Sequence, residues 1–295
     1  MTARVFLIIV RLTLSHCDVS LSEHRNAGKL VCHYCGYEIA RPNVCPECGS
    51  KYLLGFKAGT EQIEAELHKL FPTVRTLRMD GDTTTKKDSY EEILSAFKRG
   101  EADVLVGTQM IVKGHDYANV TLVGIIAADL SLASNDYRAG ARTFELITQA
   151  AGRAGRGNKP GEVVIQTYQP EHYAIVHASN QDYKSFYNEE IEYRELLEYP
   201  PSYDIMAILV SGKNSENTKI LAQSIKLEAQ KCDVRVIGPG KAGIGKINDA
   251  YRFVLYLKSR DTGKLIEAKD FIEDWLDERN TDVNVWFDLN PMNPY

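Results

Sequence analysis

Gln149, Arg153 and Arg156 lie in the run Arg-Thr-Phe-Glu-Leu-Ile-Thr-Gln-Ala-Ala-Gly-Arg-Ala-Gly-Arg from Arg142 to Arg156. Leu146, Ile147, Ala150 and Ala151 recur at helical spacing, and the glycines of Gly-Arg-Ala-Gly-Arg would stop the helix. The pattern predicts a helix from Arg142 to Gly152 whose end gathers a glutamine and two guanidiniums. Guanidinium forks stay charged and bind phosphate oxygens bidentately, and neighbouring glycines admit a second backbone, so the chemistry expected there is contact with a triphosphate. Taken alone, two arginines would read as a solvated basic helix end. Their position in the complete string, forty residues after Gly107-Thr108-Gln109 at a predicted strand end, favours the nucleotide.

A second constellation is made of cysteine. Cys32-His-Tyr-Cys35 and Cys45-Pro-Glu-Cys48 are Cys-x-x-Cys knuckles, each followed by glycine, with nine residues between them. Each can present two thiolates to a tetrahedral zinc, and the glycine permits the turn that aims backbone amides at sulfur. Spacing alone lets Cys32, Cys35, Cys45 and Cys48 close on one ion. Cys17, flanked by His16 and followed by His24, is a further candidate ligand, and Cys232 reads as an ordinary thiol. Of the six cysteines, the five before residue 50 are spaced as metal ligands and not as disulfide staples, which indicates a reducing cytoplasm.

The elements that must position these groups follow from the chain at large. Its 295 residues fit two domains and an appendage. The net charge of −5 argues against a protein coated in basic residues, so contact with single-stranded or forked DNA is expected from local clusters such as Lys241, Lys246 and Arg252. The apolar run Val5 to Val10 is too short for a signal peptide, and no later stretch reaches the ~20 apolar residues of a membrane span. From residue 51 to 170 strands and helices alternate. Thr60 is expected to cap a helix bearing Ile63, Leu67 and Leu70, and strands are expected at Val74 to Met79, Asp103 to Val106, Val120 to Ala127 and Glu162 to Thr167. This alternation predicts an α/β parallel sheet covered on both faces, with ligands at the carboxyl ends of its strands. Two helices form a linker over 171–201, stopped by Tyr199-Pro200-Pro201. Residues 202–295 read strand, helix, strand, strand, helix, strand, the βαββαβ order of ferredoxin-like folds. Residues 17–50 form the zinc ribbon and 1–16 an atypical leading segment.

ATP hydrolysis on such a sheet needs a glycine-rich loop with Lys and Ser/Thr running into a helix. The nearest match, Gly240 to Ile247, has Ile247 where a hydroxyl is needed and is expected between two short strands. It is read as a chance match, leaving the arginine side of an ATP site without its phosphate cradle.

The arginine string resembles motif VI of superfamily 2 helicases. Cys17-Asp-Val-Ser-Leu21, Cys32 to Tyr37, Gly59-Thr60-Glu61, Gly107 to Met110, Lys113-Gly114-His115-Asp116 and Tyr199-Pro200-Pro201 extend the resemblance to the bacterial primosomal replication-restart helicases. It runs from about Cys17 to the C-terminus. The resemblance implies an ATP-dependent enzyme moving 3′ to 5′ on single-stranded DNA, with a RecA-like second motor domain at 51–170. It implies primosome and single-strand-binding proteins as partners, with ATP and magnesium held jointly with a first motor domain that precedes this stretch. Gln149, Arg153 and Arg156 then act as the catalytic group, the arginines as fingers on ATP. Gly114 and Asp116 sense nucleotide, while Gly107, Thr108, Gln109, Gly59 and Thr60 hold DNA phosphates. Cys17, Cys32 and Cys35 share one zinc site whose fourth partner falls at about Leu14, and Cys45 and Cys48 belong to another. His16 or His24 could complete the first, so two ligand sets stand open, with one zinc per chain expected. Ala141 replaces the acidic residue usual in the family, weakening any ion pair to Arg142. The alternative function is a non-catalytic zinc-containing module that binds DNA or protein.

Overall fold

The structure is a computed structural model that describes residues 17, 22–24, 29–32, 35–40, 42, 44, 59–81, 83–84, 88–112, 119–133, 136–155, 160–279 and 281–292. The chain divides into two compact units, Gly55–Glu190 and Met1–Leu54 with Ile191–Tyr295. Among the described residues, no helix is long and apolar enough to cross a membrane.

The second of these units opens with a small antiparallel sheet, β1 (Ser22–His24), β2 (Lys29–Val31) and β3 (Glu38–Ala40), in that order. Lys29 and Glu38, on neighbouring strands, form an ion pair at 2.7 Å.

The unit Gly55–Glu190 begins with α1 (Thr60–Leu70), then β4 (Thr76–Met79), α2 (Ser89–Lys98) and β5 (Val104–Gly107). A 3-10 turn over Gln109–Val112 leads on to β6 (Leu122–Ile125), α3 (Asp129–Leu132), α4 (Ala139–Ala151) and β7 (Glu162–Ile165). β4 pairs with β5 and β6 with β7, both in parallel. The single sheet expected from the alternation is therefore two short parallel ladders among the described residues. Each strand spans four residues, and Leu122 and Val164 stay 60% and 52% exposed.

Two cores hold this unit. Met79 and Leu94 lock α2 against β4, with Phe97, Leu105 and Ile111 packed around them. Phe144 and Ile147 of α4 pack with Ala174, Ile175 and Ala178 of α5 (Tyr173–Ser179) and Phe186 of α6 (Tyr183–Leu196). Phe144 stacks on Phe186 with ring centroids 4.1 Å apart. α5 and the first half of α6 thus build the core around α4, and the division between the two units falls inside α6. Thr60 is not the cap of α1. Gly59 is, because the Thr60 hydroxyl instead donates to Asp80 just beyond β4. Leu70 is 70% exposed, so the face expected for α1 packs only in part.

The rest of the C-terminal region comprises β8 (Asp204–Gly212), α7 (Ser215–Ala229), β9 (Arg235–Ile247), β10 (Ala250–Ser259), α8 (Thr262–Asp277) and β11 (Asn284–Leu289). The sheet is antiparallel throughout, in the order β11-β8-β10-β9. Met206, Ile208 and Val210 of β8 and Phe253, Leu255 and Leu257 of β10 meet Ala222 and Ile225 of α7 and Leu265 and Ile272 of α8. The alternate side chains Ala207, Leu209 and Val254 pack on Ala242, so β8 is apolar on both faces. β9 is 13 residues long where only a short strand was expected before the glycine-rich run. Its ladder with β10 absorbs Gly238-Pro239 and Ala242 to Gly245 as irregularities in register, so the glycine-rich Gly240 to Ile247 is extended strand and not a phosphate loop.

Candidate functional site

Gly107 ends β5 where the chain must turn through a narrow gap. A β-carbon there would sit 2.5 Å from Ile111 Cγ2 and 2.6 Å from the Met79 carbonyl oxygen. Glycine is thus required for the 3-10 turn to fold back on β4, and it leaves Thr108 and Gln109 exposed at the strand end. The Thr108 N–H donates to Met79 O at 3.3 Å, and Ile111 N–H to Thr108 O at 3.1 Å.

The arginine helix reaches this turn. Arg153 donates from Nη2 to the Val112 carbonyl at 2.6 Å, joining the second residue beyond α4 to the last residue of the 3-10 turn that begins at Gln109. Beyond it the backbone is pinned: Gly155 N–H donates to Val120 O at 3.0 Å, and its φ of +76° is a conformation glycine adopts without strain. A β-carbon on Gly161 would lie 2.3 Å from Gly155 N, so the run before Arg156 and the start of β7 approach at glycine-only distance. Gln149 donates to Glu145 Oε1 at 2.8 Å, one helical turn back. Arg156, Gly114 and Asp116 lie outside the described residues.

Asp136 was not singled out in the sequence, yet it organises the start of α4. Its side chain is 2% exposed and lies 2.9 Å from Arg138 Nε and 2.7 Å from Arg142 Nη1. Burial pushes this carboxyl upward, but the bonds from Arg138 and the two positive charges outweigh it and hold it below its ordinary value. Arg142 therefore has an acidic partner six residues before it, although Ala141 offers none. Asp80 is similar: burial is opposed by the Thr60 hydroxyl, Thr83 and Arg78, and the carboxyl ends below its ordinary value. The α1 N-terminus meets its own first turn, Gln62 and Ile63 both donating to Gly59 O, while Thr60 is committed to Asp80.

The basic cluster expected for DNA is largely engaged in its own hairpin. Lys246 lies 3.1 Å from Asp249 and over the Tyr251 ring, and Arg252 donates to Ile244 O at 3.3 Å. Lys241 is exposed.

The candidate metal centre gathers Cys17, Cys32 and Cys35, whose sulfurs lie within 4.8 Å of one another. Cys32 N–H donates to Tyr37 O and Gly36 N–H to Cys32 O, both at 2.9 Å, with Gly36 at φ +72°: the turn expected of a Cys-x-x-Cys-Gly knuckle. Burial pushes the Cys17 thiol up to about 11, helped by Cys35 and Cys32 and opposed by the Asn248 N–H. Cys45 and Cys48 lie outside the described residues. Among the described residues, the cysteines that stand together are Cys17, Cys32 and Cys35.

Three families match consecutive stretches of the chain: the PriA DNA helicase Cys-rich region domain at residues 15–39, the helicase conserved C-terminal domain at 49–158, and the primosomal protein N C-terminal domain at 195–292. The chain carries the C-terminal region of the PriA family. It is 42% identical over 281 residues to the replication restart protein PriA of Bacillus subtilis (strain 168), covering 94% of this chain and 35% of that protein. The PriA of Synechocystis sp. is 42% identical over 250 residues, 82% of this chain and 30% of that relative. The PriA of Haemophilus influenzae is 34% identical over 280 residues, 94% of this chain and 38% of the relative. The chain thus spans about a third of the curated relatives it matches, and its helicase domain lies between the Cys-rich region and the C-terminal domain. A PriA Cys-rich region implies zinc, and the three clustered thiols fit that ion, which takes cysteine sulfur in tetrahedral sites.

Proposed function

We propose that this chain supplies the second, RecA-like half of an ATP-dependent 3′ to 5′ DNA helicase acting in replication restart in the cytoplasm. Gln149, Arg153 and Arg156 face a nucleotide whose phosphates and magnesium are held mainly by a first motor domain. The arginines stabilise the charge that develops on the transferring phosphoryl group. Gly107, Thr108 and Gln109 hold a DNA phosphate at a strand end, Gly59 and Thr60 contribute through the start of α1, Gly114 and Asp116 sense the nucleotide, and Lys241, Lys246 and Arg252 add contacts from the C-terminal domain. That domain is ferredoxin-like, a reading supported by the order β11-β8-β10-β9 of a βαββαβ chain. Its partners are forked DNA, primosome proteins and single-strand-binding protein.

The observation that carries this reading is the 2.6 Å bond from Arg153 to Val112 O, which joins the end of the arginine helix to the turn that begins at Gln109. A DNA phosphate seated at that turn would be felt at the helix end that meets ATP, as a motor requires. The test is a chimera in which this chain replaces the matching C-terminal part of the Bacillus subtilis relative. It should unwind 3′-tailed and not 5′-tailed duplexes with ATP. A folded chimera that unwinds neither contradicts the proposal.

A further inference from the structure

β9 and β10 are joined by two residues, Asn248 and Asp249, closed by the pair Ile247↔Ala250. Both sit in the left-handed region, at φ 49° and 63°. This is the backbone of a tight hairpin turn, and short polar Asn and Asp are the side chains that tolerate it. The turn is held from within, because Lys246 bonds Asp249 at 3.1 Å and lies 5.0 Å from the centroid of the Tyr251 ring. Its two central side chains are exposed, yet its backbone is occupied: Asn248 N–H donates to Cys17 Sγ at 3.4 Å, across 231 residues of sequence. Cys17 is fully buried and stands with Cys32 and Cys35.

A thiol is a poor acceptor, whereas a metal-bound thiolate carries negative charge and receives N–H bonds strongly. The bond is therefore stronger with metal present. By reciprocity, a docked hairpin must raise the affinity for metal as much as metal stabilises the docked hairpin.

We propose that the Asn248-Asp249 turn is part of the metal site, with Asn248 a positioning residue that anchors Cys17 through its backbone N–H, so that metal loading clamps the cysteine ribbon onto the β9–β10 hairpin. The inference rests on Cys17, Cys32 and Cys35 being metal ligands. The same hairpin carries Lys241, Lys246 and Arg252, so the clamp makes the position of these basic residues depend on the metal.

The test uses the full chain loaded with ¹¹³Cd²⁺ and proton–cadmium correlation spectroscopy. Correlations from the β-protons of Cys17, Cys32 and Cys35 report the ligands, and a further one from the Asn248 amide proton reports the hydrogen bond. Cadmium bound by the three cysteines with no Asn248 correlation overturns the clamp while sparing the metal site. Failure of the three cysteines to bind cadmium overturns both. In parallel, hydrogen exchange is compared before and after chelation. Amides of 246–253 should lose protection by roughly tenfold or more, as expected for a charge-assisted bond, while α7 keeps its own. Unchanged exchange across 246–253 on metal removal contradicts the proposal.

Discussion

Arg153 spends one of its guanidinium nitrogens on the Val112 carbonyl, 41 residues earlier in the chain and 2.6 Å away. The bond fixes the distance between the end of α4 and the turn that follows β5. Arginine suits the position because its planar head can satisfy a carbonyl on one side and keep other donors for an anion on another. A lysine keeps the charge and loses that division. Arg153→Lys should therefore retain the fold while raising the exchange rate of the amides over 109–112, measured by hydrogen exchange. Protection unchanged from the parent chain would show that the bond does not hold the turn.

Gly107 is the hinge on which that turn depends. In Gly107→Ala the new methyl meets the Met79 carbonyl and Ile111 at distances that force backbone to move. The expected cost is about 1–3 kcal/mol, the usual range for overpacking, measured as a shift in the denaturant midpoint. A midpoint equal to that of the parent chain contradicts the close approach.

Asp136 makes the start of α4 acid-sensitive. Its folded pKa is depressed, so the unfolded chain binds protons more readily. The stabilisation is then fully present above the ordinary value of 3.8 and is lost as pH falls through the folded pKa. Asp136→Asn removes the charge that two guanidiniums share and should destabilise by about 3 kcal/mol near neutral pH, with the difference from the parent shrinking below pH ~4. Thermal melts at several pH values check this. A gap that stays constant down to the acid limit contradicts it.

One zinc per chain is expected by elemental analysis, and Cys17→Ala should lose it. Two ions per chain contradict the expected stoichiometry. Zinc retained in the variant selects the ribbon of Cys32, Cys35, Cys45 and Cys48 in place of the cluster containing Cys17.

DNA binding by the isolated chain should be weak and salt-sensitive, since few phosphates can be neutralised by a protein of net charge −5. With Lys246 and Arg252 engaged inside the hairpin, Lys241→Glu should weaken binding more than Lys246→Glu. Fluorescence anisotropy across a salt series measures both, and the reverse order contradicts this ranking.

Local pattern carried much of this structure and stopped where partners come from afar. Ile147, Ala150 and Ala151 announced α4 by periodicity alone, and all three are buried. Thr143 and Phe144 are buried as well but did not stand out, because what buries Phe144 is Phe186 on a helix that sequence placed in a linker. β9 read as a short strand because Gly-Pro and the later glycines punctuate it. Its continuity comes from β10, which pairs with it through two shifts of register that no single-strand pattern encodes. Asp136 could have been noticed as the carboxylate closest before Arg138 and Arg142. Asn248 could have been read as a hairpin turn, but its bond to Cys17 joins residues 231 apart and has no local signature.

The most direct test of the motor reading is the steady-state ATPase of the chimera with the first part of the Bacillus subtilis relative, with and without Arg156→Ala. The chain alone should hydrolyse no ATP, and the chimera should do so with stimulation by single-stranded DNA. In the chimera, Arg156→Ala should lower kcat by about 10³-fold or more, as for removal of an arginine finger, with nucleotide affinity much less changed. A chimera whose DNA-stimulated kcat survives that substitution, or an isolated chain whose ATPase depends on Arg156, contradicts the assignment.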